Sequence, residues 1–217
     1  MPKKKKPSDR KVGKVLHIYC EGEKTEPIYI NKYIEREFAG QKGRKVIRVE
    51  PTKKNTPVQL VDVAVAHKKR HDCPEGDEFW VVYDRERIAK YPHELHANAR
   101  NKANVNGVKI AFSNICFELW LLLHLTKSSA AYADCDDLLA NSQFKKLLAE
   151  RGLARYDKGC AAIFEVIRND IDRARERASD MNDETKSNAP KGVSAPHMLN
   201  PYTDMHLLLD AIDKFKP

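Results

Sequence analysis

Four stretches of the chain are β-rich and almost continuously apolar: Val12 to Cys20, Lys45 to Val49, Glu78 to Tyr83 and Val108 to Phe112. Near-continuous apolar character is expected of strands covered on both faces. Each is followed by polar or glycine-containing punctuation and then by apolar positions at helical spacing. Ile28 to Phe38 carries Tyr29, Tyr33 and Ile34 on one face, and Pro27 suits the first turn of that helix. Thr56-Pro57 opens a second helix with Val58, Val61, Ala64 and Val65 as its stripe. A third helix follows Pro92, and a fourth, Cys116 to Leu125, has Ser113-Asn114 before it as a plausible N-cap. This β-α alternation predicts an α/β fold, a mostly parallel sheet flanked by helices. Beyond residue 130 the pattern is helical, over about 133 to 150 and 159 to 178. The Asn-, Asp-, Ser-, Lys- and Pro-rich stretch 179 to 196 reads as a flexible loop, and Thr203 to Phe215 as a last helix. The organisation is therefore a disordered basic tail at 1–11, an α/β core at 12–130, and a helical extension at 131–217 that packs on the core.

The 217 residues are 41% hydrophobic and 32% charged, enough for one domain with a core of its own. The longest apolar run, Leu119 to Leu123, falls far short of the ~20 residues that cross a bilayer. The opening MPKKKKPSDRK has positive charges but no apolar stretch behind them, which argues against export and for the cytoplasm. Five cysteines, odd in number and without a CxxC pair, read as reduced thiols rather than a disulfide frame or zinc cluster. The net charge of +8 favours polyanionic partners, nucleic acid first, although much of it sits in the lysine-rich tail.

In parallel sheets the chemistry collects at the carboxyl ends of strands. Glu21 stands directly after the first strand, with Gly22 permitting a tight turn; Asp84 and Glu86 stand directly after the third. Two residues apart on extended backbone, the latter pair would point the same way, about 6.5 Å apart. Like charges 4 Å apart repel by about 4 kcal/mol at an effective dielectric of 20. A divalent cation relieves that repulsion, and hard oxygen donors select Mg²⁺ or Mn²⁺. Ordinary acidic turn residues are the other reading of the same positions. Glu118 lies within an apolar helix, where an unpaired carboxylate is costly, so it must meet a cation, a metal or a donor. His124, six positions on, is on a different face of that helix. His67 and His71 are four apart on a predicted helix, a two-ligand spacing with no third ligand evident in the sequence.

The strings CEGEKTEPIY, FWVVYDRE and AFSNICFELWLLLH, with Tyr156-x-Lys158 and Asn200-Pro201-Tyr202-Thr203, resemble the RloB-like family over most of the chain. The resemblance implies a Toprim-like fold and a Mg²⁺- or Mn²⁺-dependent nuclease of bacterial anti-phage defence, acting on RNA (tRNA among the candidates) or DNA. It implies Glu21, Asp84 and Glu86 as metal ligands, with glutamate at 86 where the Toprim pattern has aspartate. Glu118, Lys24 and Lys158 would join them in catalysis. Lys24, Thr25, Ser113, Asn114, His124 and Tyr156 would bind substrate. Ile115 replaces the proline of the family's SNPxFExW segment. An ATPase partner is implied, no membrane is involved, and a homo-oligomer is compatible with the pattern. A non-catalytic module that binds the ATPase or nucleic acid is the competing reading.

Overall fold

The computed structural model describes residues 13–39, 46–54 and 56–216. The basic tail and the glycines at 40 and 43 lie outside the described residues. Strands β1 (Leu16–Cys20), β2 (Ile47–Glu50), β3 (Glu78–Asp84), β4 (Lys109–Asn114) and β5 (Tyr202–Thr203) form one sheet in the order β2-β1-β3-β4-β5. The first four are mutually parallel; β5 runs antiparallel along β4, with Ser113 opposite Thr203. The expected mostly parallel α/β sheet is present.

Alternation along each strand divides the apolar residues between two faces. Tyr19, Phe79, Val81, Tyr83 and Phe112 pack beneath α2 (Pro57–Lys68) and α3 (His93–Val105), from which Leu60, Val61, Ala64, Ala99 and Ala103 are buried. Thr56 caps α2 by accepting the Gln59 N–H. The opposite face, with Ile18, Cys20, Trp80, Val82 and Ala111, carries α1 (Thr25–Glu37) and α4 (Glu118–Leu125). All eight residues of α4 are buried, because α5 (Cys135–Asn141), α6 (Phe144–Glu150), α7 (Ala162–Ile167) and α8 (Ile171–Asn188) pack around it. A helix apolar on every side has to be enclosed in this way.

Three expectations change. The stretch 179–196 is not a loop throughout: α8 runs on to Asn188. Its polar composition is that of the solvent face, while Ile171, Ala174, Ala178, Met181 and Asn182 are buried at helical spacing. Pro190 follows within two residues of its end. The helical stretch at 133 to 150 is two short helices broken at Ser142. Ser113 and Asn114 do not cap α4; they complete β4 and are buried.

The C-terminal part is joined to the sheet through Asn182. Its side-chain amide donates to the Thr203 carbonyl (2.8 Å) and its carbonyl accepts the Thr203 N–H (3.0 Å). α9 (Met205–Lys214) then buries Met205, Leu208, Leu209 and Ile212 in the α4 face. The Thr203 hydroxyl accepts the Met205 N–H, an end-of-helix role carried out from within β5. Replacing Asn182 by Ala leaves two buried backbone groups unsatisfied, at about 1–3 kcal/mol each. Urea unfolding of Asn182→Ala should therefore show a loss of roughly 2–4 kcal/mol, whereas Asn188→Ala, on the exposed face, should stay within about 0.5 kcal/mol.

Candidate metal and phosphate cleft

At the carboxyl ends of β1 and β3 lies a cleft of about 370 Å³, lined by Glu21, Lys24, Thr25, Glu26, Asp84, Glu86, Lys90, Phe117, Glu118 and Lys158 among others. Strand pairing creates it. Cys20 is in register with Val82 and the Glu21 N–H donates to the Val82 carbonyl, which brings the Glu21 side chain to Asp84, two positions further on. A Glu21 carboxylate oxygen accepts the Asp84 N–H at 3.3 Å, and its other oxygen accepts the Tyr91 hydroxyl at 2.9 Å. Asp84 in turn accepts the Phe117 N–H at 3.0 Å, at the start of α4. Two strands and a helix N-terminus are thus tied together through carboxylates, and the helix dipole favours negative charge there.

Glu26 enters the same cleft from the first turn of α1. It folds back over Gly22 so closely that a Cβ at position 22 would fall 2.1 Å from its carboxylate. Glu118 also borders the cleft, 2% exposed, and its expected partners are present. The Tyr156 hydroxyl donates to it at 3.0 Å, the Cys135 thiol lies at 3.3 Å, and Lys158 Nζ stands 3.8 Å away. Gly159 N–H bonds the Thr25 hydroxyl at 3.1 Å, which docks the Tyr156–Lys158 loop on α1.

Crowding of this kind opposes ionisation. Burial pushes the Glu21 carboxyl up to about 7, against the pull of Tyr91 and the Asp84 N–H and with help from Glu86. Burial, then the charges of Glu26, Glu118 and Glu21, raises Asp84 well above the usual carboxylate range. Glu26 is raised by burial and by Glu118. Burial alone would lower Lys158, but Glu118 overrides it and keeps the ammonium charged. Glu21, Asp84 and Glu86 offer only hard oxygen donors, the kind that Mg²⁺ or Mn²⁺ takes, although their carboxylate oxygens are not all drawn within 4.8 Å of one another.

The structure brings together Glu21, Lys24, Thr25, Asp84, Glu86, Glu118 and Lys158 around the cleft, with Tyr156 behind Glu118. Glu86 arrives differently from expectation. β3 ends at Asp84, and Glu86 has a left-handed backbone (φ 55°) with its carboxylate on Lys90 at 2.9 Å. A turn, not strand alternation, delivers it. Buried Arg85 holds that turn, donating to the carbonyls of Tyr91 (2.6 Å) and His197 (3.0 Å). Ser113, Asn114 and His124 do not line the cleft. Ser113 bonds Thr203, Asn114 donates to the Leu199 carbonyl, and His124 sits in the core between the Tyr29 hydroxyl and the Trp120 carbonyl. Their surroundings are structural.

The family model for RloB-like protein matches residues 16–212. The chain belongs to the RloB-like family. Neither curated proteins nor solved structures gave a match. In this RloB-like chain sequence reasoning passed over Tyr91 as a partner of Glu21, and Lys90, four residues beyond Glu86. No motif marks Tyr91. Glu26, readable in the sequence either as a residue lining a phosphate path or as an acid of the helix's first turn, stands in that first turn and lines the cleft. Cys116 and Cys135, scattered in sequence, meet beside Glu118.

With an ordinary value of 4.5 and a folded value of about 7, Glu21 keeps its proton in the folded chain at pH values where the unfolded chain has lost it. Stability from this group is therefore full below about 4.5 and is lost as pH rises through 7, by about 3 kcal/mol in all. In chelator, urea midpoints of the wild type should fall across that window. Glu21→Gln should flatten the slope; an unchanged slope would refute the assignment.

Proposed function

We propose that this RloB-like protein cleaves phosphodiester bonds of RNA or DNA with the aid of a divalent ion held by Glu21, Asp84 and Glu86. The observation that carries the reading is the convergence of carboxylates from separate elements on one cleft, with lysines at its rim. Bound Mg²⁺ or Mn²⁺ would neutralise phosphate oxygens and orient the attacking nucleophile. The chain's own groups do the remaining work. Tyr91 and the Phe117 N–H fix the orientation of Glu21 and Asp84. Tyr156 fixes Glu118, and the more than half-exposed Lys158 ammonium presents positive charge toward the cleft opening. Lys24, at the start of α1, adds a second cation for a phosphate backbone. A net charge of +8 suits a nucleic-acid substrate. Service in anti-phage defence beside an ATPase belongs to the same proposal.

One observation favours a second reading. The Glu86 carboxylate is already paired with Lys90, which a non-catalytic binding module could retain indefinitely. Metal binding separates the two. Under the nuclease reading, Mn²⁺ titrates the wild type at the cleft, and Glu21→Gln or Asp84→Asn abolishes that binding. RNA and DNA should be cut only with Mg²⁺ or Mn²⁺ present, and Lys158→Met should slow cutting on the order of 100-fold. Metal-independent behaviour, or full cutting by Glu21→Gln, would leave the module reading standing.

A further inference from the structure

On the sheet face covered by α2, a second cluster gathers from β1, β2 and α2. One ring nitrogen each of His17 and His67 and one carboxylate oxygen of Glu50 lie within 4.8 Å of one another. His17 is 2% exposed and is held at both nitrogens: Nδ1 meets Glu50 Oε1 at 2.7 Å and Nε2 meets Asp77 Oδ2 at 2.9 Å. His67, in the last turn of α2, is bonded at Nδ1 by the Tyr19 hydroxyl. Among the described residues nothing bonds its Nε2. Its ring stands 4.5 Å from that of His17, centroid to centroid.

From these contacts we infer that His17, His67 and Glu50 form a zinc site separate from the cleft, with Asp77 and Tyr19 as the groups that orient its ligands. Two imidazoles and a carboxylate are a donor set that zinc takes, leaving one tetrahedral position for water. A metal-bound histidine commonly donates its other N–H to a carboxylate, which fixes the tautomer and turns the ligand nitrogen toward the metal. Asp77 stands in that relation to His17. Carboxylates only accept, so a proton now lies between Nδ1 and Glu50; zinc would take its place and the proton would leave to solvent. Tetrahedral zinc ligands are about 3.4 Å apart, so the 2.7 Å pair must open by less than 1 Å. Glu50 is the last residue of the edge strand β2, and its side chain is one-fifth exposed, so the movement needs no rearrangement of the core.

The spacing of His67 and His71 does not build this site, because α2 ends at Lys68. The third ligand comes from β1, fifty residues earlier in the chain. His17 precedes Glu21 by four residues, roughly 13 Å along the strand. The site therefore does not depend on the nuclease reading. Zinc here would clip the edge strand and the end of α2 to β1.

The test uses the full chain, stripped with chelator and then given excess Mg²⁺ so that the cleft carboxylates are occupied. Zn²⁺ is titrated in competition with a chromophoric chelator, and the thermal midpoint is followed. The expected result is one tight zinc per chain and a raised midpoint. His67→Gln and Glu50→Gln should each weaken zinc at least tenfold with unchanged circular dichroism, while Cys135→Ser leaves zinc binding as it was. No tight zinc in the wild type, or binding that Cys135→Ser removes and His67→Gln spares, would overturn the proposal. The cluster would then be a buried ion-pair network alone.

Discussion

Carboxylates held together against their own repulsion organise the business end of this protein. Glu21, Asp84, Glu26, Glu86 and Glu118 share one cleft, and burial raises the cost of ionising several of them at once. Such a group persists only because each member also performs structural work. Glu21 receives the Asp84 N–H, Asp84 receives the N–H of Phe117 just ahead of α4, and Glu118 anchors the loop that carries Tyr156 and Lys158. Removing one member therefore disturbs both the charge and the scaffold.

The scaffold is arranged so that the cleft is rigid behind and open in front. α4 is enclosed by helices on every side, which fixes Phe117 and Glu118 against the ends of the strands. Arg85, buried under the turn after β3, pins the chain where Glu86 and Tyr91 approach the rim. The lysines are treated differently. Lys90 and Lys158 are more than half exposed at the side chain, so they can exchange a carboxylate partner for a phosphate at modest cost. Enclosed acids and exposed cations thus meet at one cleft.

The sheet face beneath α2 follows another logic. There His17 is satisfied at both nitrogens by carboxylates brought from the end of β2 and the turn before β3. A buried imidazole with two acidic neighbours is costly to assemble, and nothing in the cleft chemistry calls for it. Its proximity to His67 gives the edge of the sheet a donor set of a kind that the acid-rich cleft lacks.

Much of this was readable beforehand, for physical reasons. Period and punctuation determine strands and helices locally, so the β-α alternation, the parallel sheet and the placing of Glu21 and Asp84 at the ends of strands followed from the residues. The cost of burying Glu118 announced that it needed partners, and motif resemblance named Tyr156 and Lys158. What composition misjudged was α8, whose polar surface concealed a stripe anchored by Met181 and Asn182. Only tertiary structure could decide which distant groups meet. Tyr91 reaches Glu21 across seventy positions, Cys135 reaches Glu118, and His67 finds His17 instead of His71. Ser113, Asn114 and His124 turn out to face the packed interior. Sequence patterns report how each segment relates to its own axis; strand order and helix packing set the distances between segments, and charge interactions depend on those distances.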